Sequence, residues 1–368
     1  MRIKNRRTDI SLTRLSCLAA VAVIASGFAA CGDDDGGTNI PDGAADGAAD
    51  ASDAGAGDAE PIMDGSSADA STVITPDGGD ECTGVTCDPE CAVFVGRSVS
   101  TPGNGATAQT ALATVQAGLE TAAQLAGPCC ACEVRVAEGR YHIFKNSPFD
   151  TLQLRSRVSL YGGYPQGFDE ARDPARYRTI LDGQQTDDGP NHVYHVVTGA
   201  NGAVLDGFVI TGGRARADAN PFNPDNYGGG LLVLNTSPRI ASCAFEANEA
   251  IYGGGAYVTH STAIFSGCRF TENLADEAGG GLYAHAGAPI ISRCDFRRNH
   301  ATHGGGLRLG PGADAQVYNT TFWRNTATGL GGGLQVELAE PTLTSNSFHA
   351  NSASAGGALH ASGSAHPV

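Results

Sequence analysis

Residues 228–258 read GGGLLVLNTSPRIASCAFEANEAIYGGGAYV, and the two words in that stretch, a glycine triplet and Phe-x-x-Asn, return down the rest of the chain. Glycine clusters begin at Gly228, Gly253, Gly279, Gly304, Gly331 and Gly356, in steps of 25, 26, 25, 27 and 25 residues. The second word recurs in phase as Phe245/Asn248, Phe270/Asn273, Phe296/Asn299, Phe322/Asn325 and Phe348/Asn351. A fixed period of this length marks a solenoid. The fourth and sixth residues after each cluster start are apolar or Ala (Leu231/Val233 through Leu359/Ala361), while the fifth varies (Leu232, Tyr257, Tyr283, Arg308, Gln335, His360). That alternation is a strand with one buried face. Five residues before each Phe stands Ile240, Phe265, Ile291, Val317 or Leu343. Five is odd, so a bulge or bend must shift the phase in between. Two or three short strands per period with no helix make a coil of strands, and the Leu-x-x-Leu-x-Leu word of a leucine-rich repeat is absent.

Coils stacked about 4.8 Å apart turn each recurring residue into a column. The Asn residues are expected in left-handed turns, bonded to the Asn above and below. The glycines are expected where a Cβ would clash. Cys243, Cys268 and Cys294 fall two residues before their Phe and are expected as buried, unreactive thiols. Tyr257, Tyr283 and Arg308 share the fifth position, so they should line one solvent face where sugars stack on aromatic rings.

These GG(A/L)x and FxxN words resemble the repeats of polymorphic outer-membrane-protein passengers, which implies an all-β, right-handed parallel β-helix of the pectin-lyase type. Upstream, Val93-Phe94-Val95, residues 133–141 (EVRVAEGRY), Leu160-Tyr161-Gly162-Gly163-Tyr164 and Leu205-Asp206-Gly207-Phe208 are similar to the start of exported bacterial β-helix proteins, often lipoproteins. The resemblance spans roughly residues 92 to 361 and bears on fold far more than on activity.

The rest of the 368-residue chain fits that setting. Fifty-one glycines and 17% charged residues oppose a long-helix protein. The net charge of −16 opposes nucleic acid as a partner. Most of that charge is local: residues 32–81, almost all Asp, Ala, Gly and Ser, carry −14, and the remainder from residue 82 carries −6. Such a stretch reads as a solvated, disordered tether. Before it, Arg2, Lys4, Arg6, Arg7 and Arg14 lead into an apolar run over 15–30 that suits a secretory signal. That run ends Phe28-Ala29-Ala30-Cys31-Gly32, which resembles a lipobox with Cys31 as the lipidated residue, although Phe28 stands where Leu, Val or Ile is usual. The domain reading is a lipoprotein signal over 1–30, a tether over 31–81, a cysteine-rich cap over 82–135 and the β-helix over 136–368. The anchor would be the protein's link to the outer membrane, on the cell-surface or periplasmic side.

Within the cap, Cys82, Cys87, Cys91, Cys129, Cys130 and Cys132 suit disulfides in an exported chain, with fifteen pairings open. Between them, residues 110–126 carry apolar residues at Leu112, Val115, Leu119, Ala122 and Leu125/Ala126, a helix suited to covering the open end of the coil. Asp182 and Asp206, in similar words 24 residues apart, are expected to stack at a turn, and residues 213–227 to form a protruding loop. No constellation reads as catalytic. Asp295 lies one coil from Arg269 and Thr321 and suits a surface ion pair. Glu246, Glu272, Arg297, Trp323 and His349 follow the Phe residues as mixed surface charge, and His300 and His303 are too few for a metal site. No cofactor or metal is expected. The reading is a non-catalytic, surface-displayed β-helix for adhesion or for interaction with carbohydrate, matrix or a surface protein. The alternatives are a polysaccharide lyase or glycoside hydrolase on the same scaffold, and a truncated autotransporter passenger.

Overall fold

The computed structural model describes residues 82, 85–97, 103–187 and 189–363. The signal, Cys31 and the tether lie outside the described residues. The folded body is a parallel β-helix whose coil visits up to four sheets in turn, called A to D here in chain order. Sheet A has nine strands, from Ala92–Val95 to Thr342–Thr344, and sheet B has eight, from Gly139–His142 to Ser347–His349. Sheet C has five short strands, from Arg214–Ala215 to Thr326–Ala327, and sheet D has eight, from Leu152–Gln153 to Leu359–Ser362. Every pairing between these strands is parallel, and each strand neighbours its equivalent one coil away.

The columns form as the period requires. Phe245, Phe270, Phe296, Phe322 and Phe348 stack on sheet B with ring centroids 4.6 to 5.0 Å apart and planes within 9°. Offset rings at this spacing add to the gain from burial. The apolar residues five positions earlier stack on sheet A, Ile240 on Phe265 on Ile291 on Val317 on Leu343. The phase shift between sheets A and B is a sharp corner: Ser242, Gly267, Arg293, Asn319 and Ser345 each take a positive φ there. The thiols follow inside that corner, free and buried. Cys243 donates to the Leu205 carbonyl and Cys268 to that of Ile240, and burial pushes the Cys243 thiol up to about 12, so it stays protonated and unreactive.

The asparagines hold the next corner, between sheets B and C, bonded to the Asn above and below as expected, but they are not themselves the left-handed residues. The left-handed residue is the one before each Asn: Ala247, Glu272, Arg298, Arg324 and Ala350 have φ between 51° and 55°. That turn aims the Asn side chain inward. The Asn273 Nδ2 donates to the Phe245 carbonyl and to Asn299 Oδ1, while its own Oδ1 accepts from the backbone N–H and Nδ2 of Asn248. Each carboxamide therefore replaces backbone partners that a sharp corner removes. The glycine corner, between sheets C and D, behaves as expected. Gly253 has φ +67°, and a Cβ on Gly254 would lie 2.4 Å from the Leu274 carbonyl oxygen.

At the N-terminal end, disulfides join Cys82 to Cys129, Cys87 to Cys130 and Cys91 to Cys132. The helix spans Val115–Ala126, with the Thr114 side chain accepting from the Ala117 N–H as its N-cap. It buries Val115, Leu119, Ala122 and Ala126, while Leu125 points to solvent. The cysteine-rich segment is more than a lid, because Ala92–Val95 and Cys132–Ala137 already pair as the first strands of sheet A. Asp182 and Asp206 do not stack. Asp182 lies on sheet B opposite Thr211, and Asp206 lies on sheet A opposite Tyr161 and Ala241. Unequal loops between these early strands give similar words different places in the coil, and each Asp instead meets an arginine, Arg140 and Arg172 respectively.

Candidate functional site on the outer face of sheet D

From Leu231–Leu234 onward each sheet D strand emerges from a glycine corner, so the residue after its first inward side chain must point away from the core. Leu232, Tyr257, Tyr283, Arg308, Gln335 and His360 form that outward column in unbroken register. The expected alignment of Tyr257, Tyr283 and Arg308 is present, but the tyrosines do not form an open platform. Tyr257 is 7% exposed and Tyr283 8%. Tyr227 and Tyr252, the residues just before their glycine clusters, fold back over them: Tyr227 lies 4.9 Å from Tyr252 and 4.6 Å from Tyr257 between ring centroids, and Tyr257 meets Tyr283 edge-on at 5.3 Å. Burial drives the Tyr257 and Tyr283 phenols above their ordinary range. The cover then thins, because the next residues in the covering column are Ala278 and His303.

Beyond that point the column turns polar. The Arg308 guanidinium lies 5.2 Å from the Tyr283 ring centre and pairs with Glu337. Three successive residues each hold a buried polar atom with no hydrogen-bond partner: Arg308 Nε, Gln335 Oε1 and His360 Nδ1. The Gln335 side chain is almost wholly enclosed. Buried polar atoms are nearly always satisfied, so three such atoms in one column, without partners among the described residues, call for water or a ligand atom there. His303 borders the same face. Its Nδ1 accepts from the Leu330 N–H, and burial followed by Arg308 pushes its pKa down, which favours the neutral ring. A donor, an acceptor and an imidazole beside a tyrosine face suit the hydroxyls and ring of a sugar. Two carboxylates act on His303: Glu337, which is held by Arg308, and Glu277, whose backbone carbonyl accepts from the His303 N–H.

The other candidates disperse. Asp295 does lie between Arg269 and Thr321, but its ion partner is Arg297, two residues along its own strand, because alternate residues of one strand share a face. Glu272 sits in the left-handed corner beside Arg298. His300 begins a sheet C strand and pairs in register with Thr326, apart from the His303 contacts. One constellation was missed: His142, Asp182 and Asp187 bring potential ligand atoms within 4.8 Å of one another. Arg140 already pairs with both aspartates, so a guanidinium supplies the positive charge that a metal would. The alternation of Arg140 and His142 around the inward Tyr141 was the only signal in the sequence.

No curated protein and no solved structure matches this chain. Residues 206–367 match the family described as the right handed beta helix region, which agrees with the parallel coil stack from the Asp206 strand onward and makes its hand right-handed.

Proposed function

We propose that this chain is an exported, lipid-anchored β-helix that holds carbohydrate or matrix polymer on the outer face of sheet D without cleaving it. The observation that carries the binding role is the run of orphaned polar atoms on Arg308, Gln335 and His360, laid in register beside Tyr283. A polyol ligand satisfies such atoms while its ring lies against the tyrosine. The absence of cleavage is supported by the pairing of Glu337 with Arg308, while the other acid acting on His303, Glu277, sits exposed on the neighbouring turn. Glycosidases need two carboxyl groups about 5 to 9.5 Å apart flanking the bond. Export and anchoring rest on the leader, Cys31 and the three disulfides, which need an oxidising compartment.

An array of neutral and acidic polysaccharides, read both for retention of the protein and for new reducing ends or unsaturated products, tests this reading. The expected result is retention on at least one neutral glycan, weakened about tenfold by Gln335→Leu, with no products. Retention unchanged by Gln335→Leu removes the site, and product release makes the protein a polysaccharide lyase or hydrolase instead.

A further inference from the structure

Sheet B presents Glu246, Thr271, Arg297, Trp323 and His349 outward, one per coil. The left-handed corner beside it presents Arg298 and Arg324 in successive coils. Three guanidinium groups thereby surround the indole: Arg324 at 4.3 Å from its ring centre, Arg298 at 5.4 Å and Arg297 at 5.8 Å. Three clustered guanidinium groups repel one another unless neighbouring anions balance them. The internal acids do so only in part. Arg297 pairs with the largely covered Asp295, and Arg298 pairs with Glu272 at 3.2 Å, half open to solvent and therefore weak. Arg324, exposed, makes no ion pair among the described residues. Two buried polar atoms without partners, Thr271 Oγ1 and Asp295 Oδ1, lie on the same face beside Arg297.

We infer that this face binds an acidic polysaccharide, its carboxylates paired with Arg298 and Arg324 beside Trp323. The indole holds the guanidinium groups by cation–π contact, and their forks suit carboxylates. Arg298 and Arg324 stand one coil apart, about 4.8 Å, so a polymer lying along the axis meets successive charges. Nucleic acid fits less well, since its dense phosphates would face an acidic body with only three local cations. The site lies on a different sheet from the Tyr283–His360 column, and the two readings stand or fall separately.

Trp323 is the only tryptophan in the chain, so its emission reports on this face directly. Polygalacturonate titrated into the full chain in detergent should change that emission saturably. Half-saturation should rise about tenfold in Arg324→Gln and also rise with added salt. Neutral dextran and oligodeoxythymidylate should leave the emission unchanged, and Gln335→Leu should not alter the titration. Arg324 is exposed at a corner, so its replacement leaves the core intact. The inference is overturned by a flat polygalacturonate titration or by an Arg324→Gln curve that matches the parent. It is equally overturned by oligodeoxythymidylate binding as tightly, or by loss of the signal in Gln335→Leu.

Discussion

Asn299 carries more of the fold than its size suggests. Its carboxamide accepts from the Asn273 N–H and Nδ2, and donates to the Phe270 carbonyl and to Asn325 Oδ1. Asn299→Ala leaves two donors and a carbonyl buried without partners, and should lower stability by about 3 kcal/mol. Asn351, half-buried on the last rung, should cost about 1 kcal/mol on the same change. Urea unfolding followed by Trp323 emission checks both values, and equal losses would mean that the ladder is not what holds the corner. His285 on sheet D and His303 beside it make a second residue-scale prediction. His285 is pushed below its ordinary range by burial, then by His260 and Arg308. For His303 burial and Arg308 push the same way, against weaker opposing pulls from Glu337 and Glu277. A depressed histidine binds its proton more readily in the unfolded chain, so stability should be full above the unfolded pKa of about 6.5 and fall as pH drops below it. His285→Gln should flatten that slope between pH 7 and pH 5, read as the urea midpoint against pH. At this scale the inward residues were legible, because a column copies its residue type from coil to coil. The covered tyrosines were not: Tyr227 and Tyr252 reach the column from the previous corner, at an offset that the period does not encode.

Elements came through the sequence unevenly for a physical reason. From Gly228 onward the spacing between clusters stays within 25 to 27 residues, so counting residues is the same as locating them in the coil. Before it, loops such as 165–178 break the count, which is why Asp182 and Asp206 fall on different sheets. The orphaned atoms of the candidate site were equally hidden, since burial and bonding depend on how neighbouring coils close over a side chain. The N-terminal staple shows what pairing adds beyond composition. Cys91–Cys132 ties together the strands Ala92–Val95 and Cys132–Ala137, and the other two bridges hold the segment leading into them against the end of the helix. A solenoid is stabilised mainly by contacts between adjacent repeats. Reduction should therefore loosen this end and leave distant coils untouched. Hydrogen exchange with and without dithiothreitol should show lost protection over Val115–Ala126 and Cys132–Ala137 and none over Ala256–Ser261 or Leu282–Gly287. Uniform loss along the stack would mean that the coils unfold as one unit.

For the whole molecule, what matters is how a rigid coil stack is presented. Two ligand faces on different sheets of one stack would let a single molecule engage two chains, or one chain twice, and linked contacts of that kind raise apparent affinity without new chemistry. Such a device needs its stack held at a surface, and that is the task assigned to Cys31. A thioether-linked diacylglyceryl group and an amide-linked acyl chain together meet the requirement for more than one hydrocarbon chain that stable anchoring sets. The acidic stretch that follows repels anionic headgroups rather than adhering to them, so the lipid alone would hold the protein at the membrane. Cys31→Ser removes the sulfur and leaves the rest of the leader sequence and the folded body unchanged. It should move the protein from the membrane fraction to the soluble exported fraction, abolish labelling by radioactive palmitate, and leave binding to polysaccharide in solution intact. Retention of the Cys31→Ser protein in washed membranes would show that attachment runs through the folded body or an uncleaved leader, and the anchoring role of Cys31 would have to be abandoned.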